Sequence, residues 1–176
     1  MRGQIILSHG SDSGPDATKV SAMAAFAETL GWQTHRPDYR DEDTLGYAGS
    51  IPPRIERLLG LIDSLDTPPV LVGSSMGAFV SGLASLERPV AGLFLLAAPS
   101  DVIPGYPRAF ALRAGVPTQL IHGWQDDVCV PEDALAFAKR HRQPLMMLDD
   151  DHRLSASLER IIEEFRLFLD HMADAA

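Results

Sequence analysis

The chain has 176 residues, 45% of them hydrophobic and 22% charged, which suits one folded domain over residues 1–176 and excludes a disordered or fibrous chain. A formal net charge of −9, with no Lys/Arg stripe among aromatics, points away from nucleic acid as a partner. Cys129 is the only cysteine, no apolar run approaches the ~20 residues a bilayer needs, and the first residues lack a signal-peptide core, so a cytoplasmic protein without a membrane partner is expected.

Short apolar runs alternate with segments of helical period, which is the rhythm of βα units. The spacing predicts strands over residues 4–8, 33–39, 70–73, 92–97, 118–122 and 145–149. Most are continuously apolar, as in a parallel sheet covered by helices on both faces, so the expected fold is a three-layer α/β/α sandwich. The first strand runs into Ser8-His9-Gly10-Ser11-Asp12-Ser13-Gly14-Pro15, a glycine-rich turn with a proline suited to a helix start. The second carries His35, Arg36, Asp38 and a proline, and reads as an edge strand.

Residues 40–53 show no regular period. A helix stripe follows through Ile55, Leu58, Leu59, Ile62 and Leu65, and another through Phe79, Val80, Leu83 and Leu86 after the third strand. Residues 99–117 are again irregular. The last helix has the clearest stripe, with Leu154, Leu158, Ile161, Ile162, Phe165, Phe168, Leu169 and Met172. Both irregular segments follow strands and should lie at the carboxyl ends of the sheet, where open α/β folds keep their ligands. Their Tyr47, Ile51, Ile103, Tyr106 and Phe110 are candidates to line a substrate pocket.

Four segments carry chemistry. Gly73-Ser74-Ser75-Met76-Gly77 is G-x-S-x-G between a strand and a helix, a bend so sharp that only glycine fits on either side of the serine. It offers Ser75 as nucleophile and the Met76 amide, at the helix start, as an oxyanion donor. A serine hydroxyl needs a base, and the base an anion to fix its tautomer. His152, just past the sixth strand, is the base. For the acid, counting from His122-Gly123 gives Asp126, whereas counting back from Val130-Pro131 gives Asp127; the strand end is the more rigid reference and favours Asp126. The Ser11 amide, after the first strand, is the candidate second oxyanion donor. Neither G-x-G-x-x-G nor a Walker lysine is present, and no Cys/His cluster exists, so neither cofactor nor metal is expected.

Ser8-His9-Gly10, Gly73 to Gly77, His122-Gly123 with Asp126, and Asp151-His152-Arg153-Leu154 together resemble the α/β-hydrolase superfamily, in its small esterase branch with little or no cap. The resemblance spans nearly the whole chain. It implies that the first strand corresponds to the family's third, so that the family's two N-terminal strands are missing, and a parallel sheet of order 2-1-3-4-5-6. It also implies hydrolysis of a short or medium acyl ester through an acyl-enzyme on Ser75; the same triad would serve a thioesterase or peptidase, and a non-catalytic binding protein that keeps the fold is the alternative outside enzymes. The sequence departs from the family at Val130-Pro131, which stands one residue farther from Asp126 than usual.

Overall fold

The computed structural model describes residues 2–174. Six parallel strands form one sheet: β1 (Gln4–Ser8), β2 (Gln33–His35), β3 (Val70–Ser74), β4 (Gly92–Leu96), β5 (Thr118–Gly123) and β6 (Leu145–Leu148), in the order β2-β1-β3-β4-β5-β6. β3 and β4 are buried throughout because helices cover both faces. On one face, α1 (Thr18–Thr29) and α6 (Leu158–Asp174) pack Val20, Met23, Phe165 and Leu169 against Ile5, Leu7, Val72 and Phe94. On the other, α3 (Ile51–Asp63), α4 (Met76–Glu87) and α5 (Pro131–His141) pack Leu58, Phe79, Leu83 and Phe137 against Ile6, Leu71, Leu93 and Leu95. No helix among the described residues is long and apolar enough to cross a membrane.

The strand order and the edge position of β2 are those the sequence implies, but three elements differ. β2 stops at His35, well short of Tyr39. Pro37 cannot donate to a ladder, and the Tyr39 amide donates instead to the buried His9 Nε2 at 2.9 Å. Residues 40–53 are not wholly irregular: a short turn of helix, α2 (Arg40–Asp43), is followed by α3, which begins at Ile51 with its prolines in the first turn. There the missing N–H groups would have had no intrahelical partner, so proline starts this helix where the sequence reads as a break. The last helix begins at Leu158 and not at Leu154, which is buried ahead of it at φ +56°.

Candidate active site

At the carboxyl end of β3 the chain turns directly into α4, and the turn leaves Ser75 at φ +56°, ψ −118°, a region non-glycine residues avoid. Two glycines permit the bend. A methyl on Gly73 would run into the Gly77 carbonyl and Ala78, and one on Gly77 into the carbonyls of Ser8 and His9, so α4 starts in contact with both β3 and the end of β1. The Ser75 amide donates to the Leu96 carbonyl of β4 at 2.9 Å, which locks the bend to the sheet.

His152 and Asp126 arrive from the loops after β6 and β5. Ser75 Oγ lies 3.1 Å from His152 Nε2, and His152 Nδ1 lies 2.8 Å from Asp126 Oδ2. An ionised carboxylate only accepts, so Nδ1 carries the proton and Nε2 is left free to accept the serine hydroxyl. Asp126 is fully buried while the imidazole is 21% exposed. Burial opposes ionisation of Asp126, but hydrogen bonds from His122, His152 and the Cys129 amide outweigh it and hold the carboxyl well below the usual carboxylate range. Asp127 is exposed, and the carboxylate that pairs with both His122 and His152 is that of Asp126. Asp126 Oδ1 accepts the amides of Val128 at 2.9 Å and Cys129 at 2.7 Å, a tight turn that takes up the extra residue before Val130-Pro131.

Three residues around this array escape a reading of the sequence. His122 is buried with Nε2 2.6 Å from the Cys129 carbonyl and 3.2 Å from Asp126 Oδ2. Both neighbours are acceptors, so that nitrogen carries a proton and braces the same carboxylate oxygen that His152 binds. The four-residue step from His122 to Asp126 is the only signal, and in a loop it has no periodic meaning. Lys19 reaches from α1 to donate to the Arg153 carbonyl, beside His152; burial lowers its pKa, and the nearby carboxylates of Asp150, Asp151 and Asp126 act against that shift. Gly123 leaves room for the His152 loop, since a methyl there would meet the Asp150 and Asp151 carbonyls. Asp150 accepts the amides of Asp151 and Ser157, and Asp151 that of Arg153, so these carboxylates shape the turn around His152 without touching its ring.

The loop after β1 closes the site on the other side. A methyl on Gly10 would sit 3.3 Å from Ser75 Cβ, so Gly10 packs directly on the serine and Ser11 follows one peptide later. Ser11 Oγ is buried without a partner. A cleft of about 190 Å³ opens beside the Asp126 turn, lined by Tyr47, Ser100, Val102, Ile103, Val128 and Val130 among others. Tyr106 and Phe110 do not line it, contrary to the sequence expectation. Both pack on Phe79, with ring centroids 5.9 Å away; Gly82 on α4 leaves the room that Phe110 fills, Tyr106 is half-buried and lines a separate cleft with Pro52, Ile55 and Leu59, and Ile51 is core. Cys129, also at the cleft, has its thiol pushed up to about 12, first by burial and then by Asp126 and Asp133, so it stays protonated and is no second nucleophile. Among the described residues, no group of three or more His, Cys, Asp or Glu is placed to hold a metal ion.

A parallel sheet whose third strand bends sharply into a helix through a serine, with an imidazole and a carboxylate delivered by the last two strand loops, defines the α/β-hydrolase class of fold. The chain belongs to the alpha/beta hydrolase family, whose profile matches residues 5–175. It is 37% identical to a Xanthomonas campestris pv. campestris protein assigned to the α/β-hydrolase superfamily, over 96% of this chain and 99% of that one, with a TM-score of 0.90. Est1E from Butyrivibrio proteoclasticus is 20% identical over 97% of this chain and 88% of its own, with a TM-score of 0.76. A Xanthomonas campestris α/β serine hydrolase without a lid is 15% identical over 97% and 82%, with a TM-score of 0.77. At those two identities the likeness is one of fold. No curated protein matches the sequence.

Proposed function

We propose that the protein is a serine hydrolase that cleaves short or medium acyl esters through an acyl-enzyme on Ser75. The observation that carries this is the unbroken chain of hydrogen bonds from Ser75 Oγ through His152 to the buried Asp126 carboxylate. In this reading His152 takes the hydroxyl proton as Ser75 attacks the ester carbonyl, and Asp126 stabilises the imidazolium that forms. The Met76 and Ser11 amides hold the oxyanion, His152 returns the proton to the departing alcohol, and water repeats the cycle to release the acid. Neither cofactor nor metal takes part.

In this reading the short acyl or alkoxy group of a small-molecule partner extends from Ser75 toward the small cleft beside the Asp126 turn, which is lined by Val128 and Cys129 next to that carboxylate and by none of Ser75, Asp126 and His152. Its apolar walls are Tyr47, Val102, Ile103, Val128 and Val130, and the carboxylates of Asp101 and Asp133 at its edge disfavour an anionic substrate. The test is labelling by a fluorophosphonate probe together with turnover of p-nitrophenyl acetate. The native protein should be labelled and active, and Ser75→Ala neither. Failure of the native protein to label, or activity that survives in Ser75→Ala, overturns the reading.

A further inference from the structure

Under the loop that follows β1 lies a fully buried arginine that the reaction above does not use. Arg54, on α3, forms a two-pronged pair with Asp43 of α2, Nε to Oδ1 and Nη2 to Oδ2, each at 2.7 Å. Its remaining reach goes to two consecutive carbonyls, with Nη1 donating to His9 O at 2.8 Å and Nη2 to Gly10 O at 3.0 Å. The ring of Tyr39 lies against the guanidinium, 4.6 Å from its centre, and the Tyr39 hydroxyl is 2.9 Å from Ser8 Oγ. Removing a guanidinium from water is costly, and an apolar side chain of similar size fills core as well or better. What arginine supplies, and Met or Leu could not, is a rigid fork of donors aimed at those carbonyls.

The Gly10 carbonyl is held from two directions. His9 Nε2 accepts the Tyr39 amide, so its Nδ1 is the protonated nitrogen and donates to Gly10 O at 2.7 Å, which with Arg54 occupies both lone pairs. No peptide bond among the described residues is cis. In a planar trans peptide the C=O and N–H point in opposite directions, so a Gly10 carbonyl fixed toward Arg54 fixes the Ser11 N–H the other way. Gly10 itself is packed on Ser75. The Ser11 amide donates to no acceptor among the described residues, and the Ser11 hydroxyl beside it is buried and unpartnered. A turn whose His9 and Gly10 carbonyls are both engaged, and whose Ser11 amide and hydroxyl are both spare, is set up to receive an oxygen that arrives with a ligand.

We infer that Arg54, braced by Asp43 and Tyr39, is a positioning residue for the oxyanion hole: it holds the His9 and Gly10 carbonyls so that the Ser11 amide faces the oxygen of an ester attacked by Ser75. This rests on the reading of Ser75 as nucleophile. Arg54 touches neither substrate nor His152 in this scheme, so its loss should weaken oxyanion stabilisation and leave proton transfer intact.

The test compares p-nitrophenyl acetate with its thiono analogue, in which C=S replaces C=O. The developing sulfur anion is a weaker hydrogen-bond acceptor, so hole donors speed the oxo ester far more than the thiono ester. In Arg54→Lys, kcat on the oxo ester should fall about 10- to 100-fold, less than the roughly 10²–10³ lost when an oxyanion donor is removed outright, because the Ser11 amide is misaimed and not absent. Turnover of the thiono ester should change little, so that the oxo-to-thiono ratio drops by about tenfold or more. The pH at half-maximal kcat/KM should not move. The Asp43→Asn/Arg54→Gln double variant, which leaves no lone buried charge, should behave the same way. The native protein offers an independent measurement: a trifluoromethyl ketone bound to Ser75 should move the Ser11 amide proton downfield in a 15N-edited spectrum, together with that of Met76. An unchanged oxo-to-thiono ratio in either folded variant overturns the inference, and so does a Ser11 amide that fails to respond. Ser75→Ala assayed alongside separates the two failures, because activity surviving there removes the reading of the site, whereas abolished activity there with an unchanged ratio in the Arg54 variants removes only the clamp.

Discussion

Replacing Asp126 by asparagine should cost far more than the loss of one charge, because the structure dictates which way the new amide turns. Oδ1 accepts two backbone amides, from Val128 and Cys129, so the oxygen of the substituted side chain must stay there. Its NH2 then occupies the Oδ2 position, 2.8 Å from His152 Nδ1 and 3.2 Å from the protonated His122 Nε2. Facing a donor, His152 must accept at Nδ1 and carry its proton on Nε2, where it can no longer take the proton of Ser75. The same tautomer error in serine proteases lowers kcat by about 10⁴, which corresponds to about 5.5 kcal/mol of barrier. The assay is kcat on p-nitrophenyl acetate for Asp126→Asn and Asp127→Asn in parallel, with circular dichroism to confirm folding. A folded Asp126→Asn within about tenfold of the native kcat would refute the reasoning, and so would an equal loss in Asp127→Asn.

Four further outcomes follow from the same geometry. Gly77→Ala drives a methyl into the backbone carbonyls of Ser8 and His9, neither of which can swing aside, and should lower stability by about 2 kcal/mol or more, seen as a depressed Tm; an unchanged Tm would show that the elbow has slack. Lys19→Met removes the bond to the Arg153 carbonyl and should cut kcat about tenfold through misplacement of His152, with KM little changed; an unaltered kcat removes Lys19 from the support of that loop. Phe110→Ala opens a hole against Phe79 and Phe137 and should cost about 3–5 kcal/mol while sparing KM for acetate esters; a large KM change would return Phe110 to the pocket. Burial keeps the folded-state pKa of His9 below its ordinary value, despite the opposing bond to Gly10 O, so the stability this residue contributes is present above about pH 6.5 and fades as pH falls toward the folded value. Urea unfolding between about pH 5 and pH 7.5 should therefore show stability rising with pH, and His9→Gln should flatten that rise; a native profile without slope contradicts it.

How far the sequence discloses this protein depends on the range of the forces involved. The strands β3, β4 and β5 are legible because burial on both faces makes each a short apolar run, which composition alone reveals. Ser75, Asp126 and His152 can be named because each follows a strand closely, and strand ends leave few ways to point. Features set by contacts between distant segments are less accessible. Whether the 33–39 strand continues past His35 is decided by His9, thirty residues away along the chain from the Tyr39 amide it receives. Whether Phe110 faces substrate or core is decided by a missing side chain at Gly82. Pro52 and Pro53 read as breakers, though the same ring that interrupts a helix also opens one. The choice between Asp126 and Asp127 turns on backbone hydrogen bonds within one short loop, which no count along the chain can supply.

If Ser75 is the nucleophile proposed above, the cramped backbone at residue 75 sets durability against turnover at a single position. A glycine there would relax the bend and should give a sturdier molecule with nothing to acylate, so a library screened only for survival at high temperature should be enriched in folded, silent variants changed at that site.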